Sequence, residues 1–315
     1  MKVVLFILSL FAFPTVADAQ WFNANNPAAS GYALVYDSDF RVDTIATVDV
    51  NDTRAPGFNW YVHKFPAASG TTATSSNLSV SGGALNINPP GGDTSNWQIA
   101  TATPLANSFS SGVSNPTVGN SFSNGWYIEA SIQYLTANVQ NGIAFWAENL
   151  YWLNCPGAGC LGRQWPGQSI PYDQWVEDDI FEWYTGAFTS TTWNQGLIDW
   201  YGASSKIGLT TDPNNTPGID HSLFHRYGQL WIPGNSDNGY VGTVQPYFDG
   251  SPSGTPVQWT DPVPAAQMPT SYPSPPPSGT DIGAWMDSQS MVVIIGGEGP
   301  FSVQYVQVWQ TPNCP

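Results

Sequence analysis

The sequence predicts an all-β protein, built as a sandwich or a barrel. Short apolar or alternating segments recur along the chain, among them WYIEASIQYL, WVEDDIFEWY and FSVQYVQVWQ. Turn-forming clusters such as NPPGGD, DPNNTPG and PGNSDNG separate these segments, and helical periodicity is nearly absent. Alternation with a period of two is typical of half-buried strands. Many short strands joined by turns favour two packed sheets or a closed barrel.

The N-terminus and the length predict one secreted domain. Residues 1–19 have the pattern of a secretory signal peptide, with Lys2, the apolar run VVLFILSLFAF and a small-residue cleavage site at Ala17–Ala19. Residues 20–315 contain a long proline-rich segment, PSGTPVQWTDPVPAAQMPTSYPSPPPSGT. Only about 35 residues follow it, too few for another domain, so we interpret it as a surface loop within a single domain. No later segment is apolar enough to serve as an anchor, and we expect an extracellular monomer.

The charge of the chain excludes two classes of partner. The formal net charge is −16, with only seven Lys and Arg residues in the whole sequence. Nucleic-acid binding depends on cations that neutralise phosphates, and no basic patch is present. Anionic membrane surfaces are disfavoured because they carry the same sign of charge. We therefore expect neither nucleic acid nor a membrane as a partner.

Secretion would allow two kinds of covalent modification. Cys155 and Cys160, in CPGAGC, are predicted to close a small loop by a disulfide in an oxidising compartment. A metal site is the rival interpretation, but no histidine lies nearby and one cysteine pair is too few ligands. Cys314 is then free, or it displaces one member of the pair. Three Asn-x-Ser/Thr sequons, which are acceptors only in a eukaryotic host, occur at Asn51, Asn77 and Asn214.

The segment WVEDDIFEWY places four of the 23 acidic residues within ten positions, among side chains typical of a buried strand. Glu177 and Asp179 share one face of such a strand because side chains alternate. Glu182 is three positions further and would point to the other face. One extra residue, a β-bulge around Ile180–Phe181, would return it to the first face. All three carboxylates would then line one surface.

Carboxylates arranged in this way suit the cleavage of a glycosidic bond. That reaction needs one ionised carboxylate and one protonated carboxylic acid on either side of the bond. Crowding of like charges raises the pKa of one member, so neighbouring groups can take different roles at one pH. A central Asp can also hold a shared proton and a hydrogen bond to the nucleophile. The competing interpretation is a solvated edge strand or a cation site, but the aromatic neighbours are not those of a solvated charge run.

The segment also resembles the E-x-D-x-x-E signature of glycoside hydrolase family 16, the laminarinase, lichenase and agarase group. Further segments resemble that family in the same order along the chain. They are YDSDF, GWYIEASIQY, NGIAFWAENLYWL, LFHRYGQLWIPG, VQPYFDG and SMVVIIGGEGPFSVQYVQVWQ. The resemblance covers most of residues 32–310. It implies a concanavalin-A-like β-jelly-roll sandwich with a concave carbohydrate-binding cleft.

On that resemblance, Glu177 is the nucleophile, Glu182 the general acid/base and Asp179 the assisting residue. The sequence departs from the family pattern at two positions. Asp178 stands at a usually apolar position that points between the sheets, where an unpaired carboxylate is costly, so it must be paired or hydrated. Gln304 replaces an Asp that can help to bind a structural calcium ion. We expect no cofactor and no catalytic metal, and Gln304 counts against a structural calcium ion.

An open cleft for glycans needs aromatic platforms, because sugar rings stack their C–H faces on aromatic side chains. Trp175 is two residues before Glu177 and should share its face, so it is the first candidate. Trp152 and Trp165 flank the CPGAGC loop and are candidates for the rim of the cleft. Trp146, which precedes them in the sequence, is a further candidate for substrate binding. Arg163 is the one cation of this loop, where it either orders the loop or contacts the substrate.

These features predict a secreted, endo-acting, retaining hydrolase of a neutral β-linked polysaccharide. A β-1,3- or mixed-linked glucan is the first choice of substrate and an agarose-like galactan the second. A non-catalytic, lectin-like protein on the same fold is the alternative, although such a protein would be expected to have lost one glutamate. A polysaccharide lyase ranks last, because the acidic segment would repel its uronate substrate.

Overall fold

In the computed structural model, the described residues are 22–63, 65, 71–87, 97–105, 116–134, 142–154, 174–184, 192–201, 205–208, 214–215, 218–235, 238–260 and 286–312. Strands dominate these residues. In chain order the strands are β1 (Ala33–Asp39), β2 (Val48–Asp49), β3 (Trp60–Tyr61), β4 (Thr71–Thr72), β5 (Leu78–Ser81), β6 (Ala84–Ile87), β7 (Trp97–Ala100), β8 (Ala102–Pro104), β9 (Thr117–Gly119), β10 (Trp126–Tyr134), β11 (Gly142–Asn149), β12 (Gln174–Tyr184), β13 (Thr192–Tyr201), β14 (Ser205–Gly208), β15 (Asn214–Asn215), β16 (His225–Ile232), β17 (Val241–Phe248), β18 (Ser251–Pro252), β19 (Val257–Thr260), β20 (Met291–Gly297) and β21 (Phe301–Gln310). The helical elements are α1 (Leu150–Asn154) and the 3₁₀ turns Pro27–Ser30 and Ile45–Thr47.

The strands form two large, almost entirely antiparallel sheets, and β8 and β9 pair separately as a two-stranded sheet. We call β18-β17-β16-β10-β21-β6-β5 the back sheet, with β1 added to β21 and β19 added to β17. The front sheet runs β14-β13-β12-β11-β20-β7-β3-β2, with β15 added to β13 and β4 added to β7. Strands far apart in the chain, such as β11 and β20, are neighbours. The two sheets pack face to face, and the predicted all-β sandwich is confirmed.

The core lies between the sheets and follows from the alternation of the sequence. Every second residue of β10 points inward, so Trp126, Ile128 and Ala130 are all at most 2% exposed. Phe145 of β11 and Val176 of β12 face them from the front sheet and are fully buried. Burial of such side chains contributes about 1.5–3 kcal/mol each, which makes this layer the main stabilising element.

The outer face of the back sheet carries one buried carboxylate. Glu129 of β10 is 3% exposed and accepts hydrogen bonds from the hydroxyls of Tyr127 at 2.7 Å and Tyr305 at 2.6 Å. The guanidinium of Arg226 lies 3.8 Å from the same carboxylate. Burial raises the pKa of Glu129, and these three neighbours lower it in part. We call these four residues the Glu129 cluster.

None of the helices in the described part of the chain is long and apolar enough to cross a membrane.

Candidate active site

The strand β12 contains the bulge that the glutamate spacing predicts. Against β11, Phe181 pairs with Phe145 and Asp179 pairs with Trp146, which leaves Ile180 as the extra residue. The register against β13 shifts over the same interval. Ile180 and Phe181 are consecutive, yet both are at most 1% exposed and belong to the core between the sheets. The predicted bulge is therefore confirmed.

A side chain from the neighbouring strand holds the bulge in place. A bulge leaves backbone groups without a partner in the ladder. The amide nitrogen of Gln195 on β13 donates to the Ile180 carbonyl at 2.7 Å and to the Gly228 carbonyl of the back sheet at 3.2 Å. Gln195 is itself 1% exposed. The bulge is thus tied to the opposite sheet through one buried side chain.

The bulge brings the two predicted catalytic glutamates into one cavity. Glu177 and Glu182 both line a cavity of about 170 Å³ on the front sheet, together with Glu148 and Glu298. The whole sequence contains five glutamates, so four of the five line this cavity. Trp146 and Tyr184 complete the part of the lining that can stack on or hydrogen-bond a ligand.

Asp179 lies between the two glutamates and is buried. Its side chain is 3% exposed. Burial raises the pKa of Asp179 well above its usual value, and the charges of Glu177 and Glu182 raise it further. A side-chain hydrogen bond joins it to Glu182. Burial and the neighbouring carboxylates therefore both favour the protonated form of Asp179.

Glu148 is a fourth carboxylate of the cavity, and it stands directly opposite Glu177 in the register of β11 and β12. It is 7% exposed. Burial raises the pKa of Glu148 well above its usual value, the charge of Glu177 adds to this, and a hydrogen bond from Trp146 opposes it. Two carboxylates that face each other cannot both ionise cheaply. Burial and the position opposite Glu177 therefore both favour the protonated form of Glu148.

Glu182 accepts hydrogen bonds on both carboxylate oxygens. The hydroxyl of Tyr184, two residues further along β12, donates to Oε1. The amide nitrogen of Asn194, the register partner of Glu182 on β13, donates to Oε2 at 3.0 Å. A carboxylate held from two sides keeps one orientation towards the cavity.

Asp178 points between the sheets, as the strand register requires, and it is paired. It is fully buried and accepts a hydrogen bond from the side-chain amide of Gln229 on β16 of the back sheet. Burial raises the pKa of Asp178 well above its usual value, and the indole of Trp126 lowers it in part. The departure from the family pattern thus has a partner across the sandwich, and the register of β12 stands.

The predicted aromatic platforms are placed differently from one another. Trp175 of β12 stacks face to face on Trp152 of α1, with ring centroids 4.8 Å apart and an interplanar angle of 9°. Trp146 lines the cavity but is only 7% exposed, because it packs in an apolar cluster with Phe65 and Leu153. The structure therefore brings Trp175 and Trp152 together as one aromatic unit and places Trp146 in the wall.

Several predicted residues lie outside the described part of the chain. These are Trp165, Arg163, Cys155, Cys160 and Cys314, together with the predicted signal peptide. Within the described residues, no group of three or more His, Cys, Asp or Glu side chains is arranged to hold a metal ion. The side chain of Gln304, at the position relevant to calcium, accepts a hydrogen bond from Ser131 at 3.0 Å.

The structure adds three residues to the candidates predicted from the sequence, namely Glu148, Tyr184 and Asn194. The position of Tyr184 could have been predicted from the sequence. It follows Glu182 by two residues and must share its face in a regular strand. Glu148 and Asn194 come from neighbouring strands. Their position opposite Glu177 and Glu182 depends on the inter-strand register, which one sequence does not reveal.

Solved structures of glycoside hydrolases share this fold. An endo-β-galactosidase from Clostridium perfringens that releases GlcNAcα1-4Gal matches 90% of this chain at 15% identity with a TM-score of 0.50, and this chain spans only 63% of that longer one. An endo-β-1,3-glucanase from Pyrococcus furiosus matches at 16% identity and a TM-score of 0.49, covering 89% of this chain and 94% of that one. A laminarinase from Flavobacterium sp. UMI-01 matches at 17% identity and a TM-score of 0.49, covering 88% and 100%.

No protein-family model and no curated protein sequence matches the chain. At these identities the likeness to solved structures is one of fold. The predicted β-jelly roll of the glycoside hydrolase family 16 type is confirmed in that sense.

Proposed function

We propose that the protein is a retaining, endo-acting glycoside hydrolase of a neutral β-linked polysaccharide, with a β-1,3- or mixed-linked glucan as substrate. One observation carries the proposal. The bulge at Ile180 places Glu177 and Glu182 in one cavity, with the buried Asp179 between them. A strand without the bulge would point one of the two glutamates into the core, and the pair could not act on one bond.

The reaction would proceed in two balanced steps. A carboxylate oxygen of Glu177 forms a bond to the anomeric carbon while the bond from that carbon to the glycosidic oxygen breaks. Glu182 gives its proton to the departing oxygen, which leaves as a free sugar hydroxyl. Glu182, now a carboxylate, then takes a proton from water, whose oxygen displaces Glu177 from the anomeric carbon. Two inversions give net retention, and both residues return to their starting state.

The buried carboxylates support this division of roles. The raised pKa values of Asp179 and Glu148 favour the protonated forms of these two carboxyl groups. The site can then hold one charged nucleophile without placing four negative charges in a small cavity. Trp175 lies two residues before Glu177 in the sequence and stacks on Trp152. This aromatic pair would supply an apolar surface for a neighbouring sugar ring.

The charges around the cavity favour a neutral substrate. Four glutamates line it, and no Lys or Arg is among its described lining residues. The described arginines are engaged elsewhere. Arg41 pairs with Asp39, Arg54 with Asp52, and Arg226 lies beside Glu129 on the back sheet. A polymer that carries a sulfate on every repeat needs cationic subsites in the protein, and these arginines do not supply them.

Two alternatives have specific tests. The solved neighbour from Clostridium perfringens is an endo-β-galactosidase, so a neutral galactan is the second substrate to examine. A lectin-like protein on the same fold would bind a polysaccharide without cleaving it. Because both glutamates are present in one cavity, we favour catalysis over binding alone.

The decisive experiment is a panel of laminarin, mixed-linkage glucan, agarose and carrageenan, assayed at low and high salt. We expect laminarin or mixed-linkage glucan to be cleaved into mid-sized fragments early in the reaction, with the anomeric configuration retained by NMR. Binding without release of reducing ends would support the lectin alternative. Carrageenan as the best substrate, at a rate that does not depend on salt, would overturn the charge argument.

The place of action is part of the proposal. The pattern of residues 1–19 supports export, with a mature protein that begins at Gln20. N-terminal sequencing of the protein recovered from culture medium tests this. Peptide mapping without reduction tests the Cys155–Cys160 disulfide, and a bond from Cys314 to either cysteine would refute that pairing.

A further inference from the structure

Two side chains that donate hydrogen bonds to Glu182 have no assigned role in the two-carboxylate mechanism. Tyr184 and Asn194 donate to different oxygens of the same carboxylate, one from within β12 and one from β13. The two donors differ in exposure. Tyr184 is 38% exposed at the edge of the cavity, whereas Asn194 is half-buried on the neighbouring strand. Together they leave the carboxylate of Glu182 little freedom to rotate.

We propose that Tyr184 and Asn194 are positioning residues that hold Glu182 in the orientation needed to protonate the leaving group. This inference rests on the proposed function, because it assigns Glu182 the acid/base role. A general acid contributes only when it lies within hydrogen-bond reach of the oxygen that receives its proton. A glutamate side chain has several rotatable bonds, so two fixed donors reduce the orientations it must search.

A glycine on the neighbouring strand leaves room for the ring of Tyr184. Gly142 on β11 is the register partner of Tyr184. A Cβ at Gly142 would come within 2.4 Å of the tyrosine ring, so any side chain there would displace it. The ring therefore lies over a strand position that only glycine can occupy. This explains how Tyr184 reaches Glu182 from two residues away on the same strand face.

Asn194 is matched to the charge of the site. Its amide nitrogen can donate to a carboxylate, whereas an Asp of the same shape offers only acceptor oxygens at neutral pH. Asn194 also occupies the position directly opposite Glu182 in the register. An Asp there would place a like charge against Glu182. The identity of this side chain therefore matters beyond its size.

The test compares two substrates that differ only in the leaving group. One is the natural polymer, and the other is an activated aryl β-glycoside of the same sugar unit, whose leaving group needs little protonation. The variants are Tyr184→Phe and Asn194→Asp, with Glu182→Ala as the reference for complete loss of the acid. The kcat/KM of the aryl glycoside isolates the first chemical step.

We expect Tyr184→Phe and Asn194→Asp each to lower kcat on the polymer about tenfold while KM changes little, because a misoriented acid loses part of the usual hundredfold or larger contribution. On the aryl glycoside, kcat/KM should change no more than about twofold. Asn194→Gln, which keeps a donor, should recover part of the loss on the polymer.

Tyr305→Phe is the matched control. It also removes a tyrosine hydroxyl from a glutamate, but in the Glu129 cluster on the back sheet, 2.6 Å from a carboxylate outside the cavity. We expect it to lower the melting temperature without changing the ratio of activities on the two substrates. The control therefore separates a lost hydrogen bond from a lost orientation of the acid.

Three outcomes are distinguishable. A selective loss on the polymer supports the inference. The inference is overturned if Tyr184→Phe and Asn194→Asp lose activity equally on both substrates, or lose none, while Glu182→Ala shows a clear polymer-selective loss. That result leaves the proposed function standing. A wild-type protein that cleaves neither substrate overturns the proposed function and the inference with it.

Discussion

The five glutamates of this chain occupy two regions with opposite surroundings. Glu129, on the back sheet, meets two tyrosine hydroxyls and an arginine. The other four line one cavity on the front sheet, where Glu148 faces Glu177 and Asp179 lies between Glu177 and Glu182. Burial raises the pKa in both regions. At Glu129 the hydrogen-bonding and cationic neighbours lower it again, whereas at Asp179 the neighbouring carboxylates raise it further.

Burial alone therefore does not distinguish a structural carboxylate from one that is placed for catalysis. A structural carboxylate is surrounded by donors that remove its electrostatic cost. A reactive group is surrounded by groups of its own kind, so protons and charge are shared among them. Substitutions in the two regions should therefore separate stability from turnover.

The largest effect is expected at Glu177, the proposed nucleophile. Glu177→Gln keeps the shape of the side chain but replaces the nucleophilic carboxylate with a neutral amide, which cannot form the covalent intermediate. We expect kcat to fall by at least about three orders of magnitude, with substrate binding retained. Steady-state kinetics on the best polysaccharide, with binding measured by calorimetry, checks both parts. Near-normal turnover would reject the assignment of Glu177.

Glu182→Ala should follow, with an effect that depends on the substrate. Loss of the general acid should lower kcat on the polymer about a hundredfold or more. The kcat/KM of an activated aryl glycoside should be largely spared, because its leaving group departs without protonation. If both substrates suffer equally, Glu182 does not act as the acid.

Glu129→Gln should show the reverse pattern. An amide offers one acceptor oxygen where the carboxylate offers two, so one tyrosine hydroxyl of the Glu129 cluster loses the acceptor for its proton. We expect the free energy of unfolding to fall by about 2 kcal/mol, with kcat and KM unchanged. Denaturant titration and kinetics on the same preparation measure the two quantities. A large loss of kcat in a folded variant would remove the distinction between the two regions.

The smallest effect is expected at Asp178, as a change in pH dependence. Burial raises the pKa of Asp178 on folding. Its contribution to stability is therefore full below the unfolded-state pKa, near pH 4, and is lost as the pH rises through the folded-state value. Asp178→Asn cannot ionise, so its melting temperature should fall less between about pH 4 and pH 8 than that of the wild type. Parallel pH dependences in the two proteins would show that Asp178 does not contribute.

Much of this arrangement could be predicted from the sequence, and the limit has a physical basis. The alternation along WVEDDIFEWY required either a bulge or a divided set of carboxylates, and the bulge at Ile180 is present. The inward position of Asp178 followed from the same alternation. Contacts between strands, such as Glu148 with Glu177 and Asn194 with Glu182, did not follow. A one-residue change of register would replace both partners, and register is set by long-range packing.

The exposure of the tryptophans was a second limit. Trp146 and Trp175 lie on the same sheet, and their sequence contexts are equally aromatic. Phe65 and Leu153 cover Trp146 in the wall of the cavity, while Trp175 stacks on Trp152. Such coverage comes from distant segments, and composition does not reveal it.

The anchoring of Ile180 by Gln195 has a consequence for how this site can change over time. The neighbours of the extra residue, Asp179 and Phe181, pair with β11, and Gln195 ties the Ile180 carbonyl to the back sheet. Replacing a nearby side chain would change the rate of the proposed reaction. Removing Ile180 would instead point the side chain of Glu182 into the core. The distance along the chain from Glu177 to Glu182 is thus the constrained property. Drift in residue identity can adjust this site gradually, whereas a single codon lost between the two glutamates would abolish it at once.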